Sequence, residues 1–261
     1  MAKRNSSSPA SSSKPTLQKF LTFCFWIGRA AGIDIRLHWS FFLAPLMIYL
    51  QYRGFGTAIV SLLMVLMLSI FVCILLHEYG HAMAARYFGV RTQDIIITPI
   101  GGLARLVRMP IKPVQELVIT IAGPLVNLVI AGLFFCYLWF AGKPTSLDND
   151  LQGLAAFPQV MMWANFILFG FNLIPAFPMD GGRILRSSLA IIFGHARATK
   201  TAVFVGRLMA LVFVAAAIYF RQTTFGIVGA FVFMAAGLES QTAAAGDVSE
   251  SRYDEPDEPF Q

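Results

Sequence analysis

Six apolar stretches separated by short polar loops dominate the chain and restrict it to folds that a lipid bilayer can hold. They lie at about Leu37–Gln51, Thr57–Phe88, Val114–Phe140, Leu154–Ala176, Thr201–Phe220 and Thr224–Leu238. Crossing ~30 Å of hydrocarbon takes about 20 helical residues. Hydrocarbon offers backbone amides no partner, so each run must satisfy its own hydrogen bonds and is read as a helix. The first and last are short for a span, and neighbouring residues or local thinning must cover the difference. The expected fold is an all-α polytopic membrane protein with about six transmembrane helices. Composition agrees, since only 13% of residues are charged against about 25% in soluble domains.

The basic residues test this topology, because Lys and Arg concentrate in cytoplasmic loops. With the N-terminus inside, all of the 20 Lys and Arg except Arg53, Lys143 and Arg221 fall on the inner side. Both termini are therefore expected in the cytosol. The net charge of +6 is spread over short loops rather than gathered on one face, so it reads as membrane orientation and not as nucleic-acid binding. Residues 1–31 read as a disordered cytosolic tail, since Met1–Lys19 is rich in Ser, Pro and Lys and lacks the apolar core of a secretory signal. Residues 32–238 form the transmembrane domain, and residues 239–261, with Glu250, Asp254, Glu255, Asp257 and Glu258, read as an acidic cytosolic tail. Cys24, Cys73 and Cys136 lie in or beside apolar runs without ligand spacing and read as packed thiols.

Between the second and third runs, residues 90–106 break the helical pattern: β-branched residues cluster there, and Pro99, Gly101 and Gly102 punctuate them. A short membrane-associated β-strand or hairpin fits this composition, and so does an irregular loop.

The chemistry is concentrated in His77-Glu78-Tyr79-Gly80-His81, an HExxH pattern inside the second run. Residues four apart share a helix face, so both imidazoles can meet one zinc ion while Glu78 reaches a water on that metal. Ionisable groups are costly within a span, which makes a functional role the default reading. A catalytic zinc site needs three protein ligands and one open position. In the extended soluble motif HExxHxxGxxH the Gly and third-His positions are Ala84 and Tyr87 here, so the third ligand must come from elsewhere. The fourth run ends in Asn172-Leu-Ile-Pro-Ala-Phe-Pro-Met-Asp180-Gly-Gly. Its two prolines unwind the helix end, which lets Asp180 turn inward as the natural third ligand. An ordinary helix end with Asp180 capping the next helix is the other reading of that stretch.

HExxH in one span with NxxPxxPxDG in a later one resembles the site-2 protease family of intramembrane zinc metalloproteases, from Gly32 to about Leu238. Ile35–Ser40, the glycine pair Gly101-Gly102 and Gly123-Pro-Leu-Val-Asn127 match it too. The resemblance implies one Zn2+ per chain held by His77, His81 and Asp180, with Glu78 as the catalytic carboxylate. It also implies regulated cleavage of peptide bonds in or near transmembrane segments of membrane-protein substrates, in a prokaryotic cell membrane, with the site near its cytosolic side. No PDZ domain interrupts the catalytic spans, as in the compact subgroup, and the C-terminal tail is too short for the CBS pair that many of its members carry. The segment at 90–106, with Gly101 and Gly102, could hold an unwound substrate by strand addition. Asn172 and Asn127 could hold the substrate backbone or stabilise an oxyanion, or could make hydrogen bonds between packed helices.

Two other classes use the same polar cluster. A CAAX-type membrane protease would take Glu116 or Glu239 as third ligand in place of Asp180. A metal or proton transporter, or an inactive scaffold, would carry the cluster without cleaving anything. The oligomeric state is unspecified by sequence.

Overall fold

A computed structural model describes residues 23–99, 101–107, 112–146 and 153–253, with residues 153–154 and 240–253 described by their backbone alone. Most of the expected N-terminal tail, the loop ends on either side of these segments and residues 254–261 lie outside the described residues. The elements run β1 (Cys24–Ala30), β2 (Ile33–His38), a 3-10 turn (Trp39–Phe42), α1 (Leu43–Tyr52), α2 (Thr57–Tyr87), β3 (Thr92–Thr98), β4 (Gly101–Leu106), α3 (Pro113–Phe140), α4 (Phe157–Asn172), α5 (Asp180–Phe193), α6 (His195–Phe220) and α7 (Thr223–Tyr253).

The helices α2, α3 and α6 are long and apolar enough to cross a bilayer. Their outward faces carry exposed Leu133, Trp139, Phe204 and Leu211, surface that water would penalise and lipid does not. The other expected spans depart from the sequence reading. The run at 37–51 is divided: its first residues end β2 and form the 3-10 turn, leaving α1 only 10 residues, or ~15 Å, half the hydrocarbon thickness. The run at 154–176 yields the 16-residue α4, because the backbone before Pro175 and Pro178 leaves the helical region. The last run keeps its apolar part at Thr223–Glu239, and the helix continues to Tyr253 through the expected acidic tail.

The fold is also less purely helical than expected. The segment at 90–106 is the hairpin β3–β4, and it belongs to a four-stranded sheet of order β1-β2-β3-β4. The end of the presumed disordered tail, Cys24–Ala30, is the outer strand of that sheet. The β1–β2 turn uses Ala31 (φ 50°) and Gly32 (φ 82°), the two left-handed positions that a type I′ turn requires. Side chains of α2 hold this turn: Tyr79 donates to Ala30 O at 2.9 Å and Arg86 to Ala31 O at 2.8 Å. Strands β2 and β3 pair in parallel, from Asp34 opposite Asp94 to Leu37 opposite Ile97. Their hydrophobic side is sealed by Ile33, Ile95 and Ala82 and by Phe41, Phe71 and Ile97. Asp94, 1% exposed, is neutralised by Arg36 at 3.1 Å and by both ends of the Arg105 guanidinium. The same carboxylate raises the pKa of Arg105, and its bonds to Arg36 and Arg105 staple β2, β3 and β4 together.

Helix α3 packs against α2, α4 and α5, and α6 against α7 and α5. Glu116 at the start of α3 is 3% exposed and pairs with Arg186 of α5, which also pairs with Glu239 of α7. Arg183 Nε lies 3.8 Å from Glu116 Oε1. Removing one partner of such a group leaves an uncompensated buried charge. Arg186→Met is therefore expected to destabilise the fold by about 3–5 kcal/mol, read as a lowered unfolding midpoint in detergent. An unchanged midpoint would mean that the cluster does not tie the three helices.

Candidate metal centre

Two elements meet at the HExxH motif. On α2, the helical spacing brings His77 Nε2 and His81 Nε2 within 3.0 Å. From the other side comes Asp180, the first residue of α5, whose Oδ2 lies 3.1 Å from His77 Nε2 and 3.2 Å from His81 Nε2. Asp180 reaches this place because the chain turns sharply at residues 173–179. Ala176 and Met179 are gripped by Ala210 and Val232 of α6 and α7. The paired glycines then let α5 start directly beneath the turn. A Cβ on Gly181 would overlap the carbonyl oxygens of Leu173 and Ile174, and one on Gly182 would lie 2.7 Å from Ala176 C.

The three atoms form a nearly equilateral triangle. A tetrahedral zinc with bonds of ~2.0–2.1 Å holds its ligand atoms about 3.3 Å apart, so the arrangement fits a zinc ion with the fourth position open. Charge supports the same conclusion. His81 Nδ1 lies 2.8 Å from Ile119 O and donates there, so the neutral imidazole presents its lone pair at Nε2. Lone pairs and a carboxylate converging in an enclosed space, with each of the three residues less than 9% exposed, repel one another unless a cation lies between them. Among the described residues, His77, His81 and Asp180 are the one group of three His, Cys, Asp or Glu able to share an ion.

Glu78 points from the same helix to β4, where the Ala104 amide donates to its Oε2 at 3.0 Å. Gly102 makes room for it, since a Cβ there would lie 2.5 Å from Glu78 Cγ. Ala104 donates away from β3, so β4 presents an edge beside the carboxylate. Gly101, at φ 152°, accepts from Thr98 Oγ1 at 2.9 Å across the β3–β4 turn. Asn127 of α3 is 1% exposed, and its amide nitrogen lies 3.1 Å from His77 Nδ1. Asn172 donates to Leu168 O of its own helix at 3.0 Å.

Sequence reasoning named Gly123 only as part of a matching stretch and gave it no role at the site. A Cβ there would overlap His81 Nε2 and lie 2.8 Å from His77 Nε2, so this glycine keeps the place where the ligand atoms meet. Gly80, inside HExxH, lets α3 approach: its Cβ would be 2.8 Å from Ala122 O. Small residues within otherwise bulky apolar spans were the available signal, since close helix contact in membranes depends on them. Glu116 and Glu239, the alternative third ligands, are engaged with Arg186, whereas Asp180 stands against both imidazoles. His38 is fully buried and accepts from the Ser40 amide at 3.3 Å. It is Trp39 that remains exposed.

The profile of peptidase family M50 matches residues 65–151 and 145–216, an interval that contains all three candidate ligands and Glu78. The chain belongs to peptidase family M50. A zinc metalloprotease of Methanocaldococcus jannaschii is 35% identical to this M50 chain over 213 residues, which is 80% of this chain and 58% of the relative. The solved structure of the site-2 protease from that organism superposes with a TM-score of 0.61 at 33% identity, covering 84% of this chain and 95% of the other. Stage IV sporulation protein FB of Bacillus subtilis is 30% identical over 120 residues, 46% of this chain and 38% of its own length. The M50 chain spans about half the length of the curated relatives it matches. The family assignment and the apolar helices make it an integral membrane protein.

Proposed function

We propose that this M50 protein is an intramembrane zinc metalloprotease that hydrolyses peptide bonds in or near transmembrane segments of other membrane proteins. The observation that carries the proposal is the convergence of His77 Nε2, His81 Nε2 and Asp180 Oδ2 at 3.0–3.2 Å, one residue from Glu78 on a helix long enough to span the bilayer. Bound zinc supplies a Lewis acid that polarises the scissile carbonyl and acidifies the attacking water.

The protein supplies the remaining roles. Glu78 takes the proton of the attacking water and passes it to the leaving amine. The Ala104 amide keeps the Glu78 carboxylate aimed while leaving its other oxygen available. A helical substrate hides its peptide bonds in its own hydrogen bonds and must unwind before attack. The outer edge of β4, with Gly102 and the neighbouring Gly101, offers backbone groups to receive it by strand addition, so helix-breaking residues near the scissile bond help cleavage. Asn172, at the end of α4, exchanges its bond to Leu168 O for one to the incoming backbone in this reading. The distribution of basic residues supports a site near the cytosolic side, with both termini cytosolic, and the resemblance to the compact subgroup supports a prokaryotic cell membrane.

The test is cleavage of a purified transmembrane peptide carrying a Gly-Pro break, with the full chain in detergent. Cleavage is expected with about one zinc per chain, to stop on chelation and to return on readdition of zinc. Metal-loaded protein that cuts no such peptide but moves zinc or protons into liposomes would replace the protease reading with a transporter.

A further inference from the structure

We propose that Asn127 is a positioning residue that holds His77 by its Nδ1–H and so sets the orientation and electron density of Nε2, rather than a contact for substrate. The inference rests on His77 being a metal ligand.

Both imidazoles of the motif are met from behind by one stripe of α3. Ile119, Gly123 and Asn127 are spaced four apart and therefore stack along one helix face. Ile119 O meets His81 Nδ1 at 2.8 Å, Gly123 leaves the gap beside the two Nε2 atoms, and the Asn127 amide meets His77 Nδ1 at 3.1 Å. Nδ1 and Nε2 lie on different edges of the ring, and the Nε2 edge of His77 is the one facing Asp180. With only 1% of its surface exposed, Asn127 has no face to offer a peptide.

The polar inventory gives the direction of the bond. An imidazole whose Nε2 binds metal carries its proton on Nδ1 and can only donate there. Asn127 Oδ1 is buried without a hydrogen-bond partner. A half-turn of the amide brings that orphan oxygen to the Nδ1 proton and satisfies both groups at once. An acceptor behind a ligating imidazole fixes its tautomer and ring orientation and raises its basicity, and loss of such an acceptor weakens metal binding about 10–100-fold.

The experiment compares zinc affinity, by chelator competition, of the full chain in detergent with that of N127L, N127D and H77A. The absorption bands of the cobalt-substituted forms report ligand geometry independently of activity. N127L removes the acceptor at similar volume, and N127A serves if N127L does not fold. N127D restores an acceptor. The expected result is a 10–100-fold loss of zinc affinity with altered cobalt bands for N127L or N127A, and affinity within about threefold of native for N127D. Native affinity in the apolar variant would overturn the inference, and so would equal losses in N127L and N127D, which would mark a packing role. If H77A binds zinc as tightly as the native chain, it is the metal-centre reading itself that fails.

Discussion

Glu78→Gln is expected to lower cleavage about 10²–10⁴-fold, the usual contribution of a positioned proton acceptor, while leaving zinc in place. Glutamine has the same length and can still accept from the Ala104 amide through its side-chain oxygen, so neither α2 nor the contact to β4 should move. What it loses is the capacity to take a proton from water and return it to the departing amine. Asp180→Ala is the complementary change: it removes one corner of the triangle, and both metal and cleavage are expected to disappear. Metal analysis and single-turnover cleavage on the two variants separate the roles. An active Glu78→Gln enzyme would mean that another group handles the proton.

Gly123→Ala should be nearly as damaging, although glycine carries no chemistry. Its methyl group would be placed against His81 Nε2 and 2.8 Å from His77 Nε2, where the ligand lone pairs converge. Relief requires α3 to move away from α2 or both rings to turn. The first opens the close packing of α2 on α3 at Gly80 and loses its dispersion contacts, and the second breaks the bond between His81 Nδ1 and Ile119 O. Displacement of about 1 Å at a reacting centre costs about 10²-fold in rate, so cleavage is expected to fall at least that far and zinc content to fall with it. Chelator competition checks the metal, and the unfolding midpoint checks that the helices still assemble. Full zinc content with native turnover would mean that α3 yields more easily than its neighbours suggest.

The residues of the candidate site were largely legible because their signals are local. His77 and His81 share a face by helix geometry alone, and the polar residues stand out against an apolar run. Prolines at 175 and 178 announced the unwinding that brings Asp180 inward. The sheet was harder to read. Cys24–Ala30 and Ile33–His38 are short apolar segments, and such runs do not distinguish a strand from the edge of a span. Their strand character depends on the parallel pairing of β2 with β3, a partner some 60 residues away in sequence. Sequence named Asn127 and Gly123 but not their contacts with His77 and His81, since those depend on which face of α3 meets α2.

Sequence alone determined the membrane environment and the HExxH motif and pointed to Asp180 as its candidate third ligand, because hydrophobic run length, helical spacing and proline act within one segment. Tertiary structure decided which runs become full-length helices, that β1 and β2 complete a four-stranded sheet, and that Glu116 and Glu239 pair with Arg186 rather than the metal. It also decided that α3 backs both imidazoles and that Gly123, without a side chain, lies beside their Nε2 atoms. These outcomes depend on contacts between distant segments, whose energies no single stretch of chain contains.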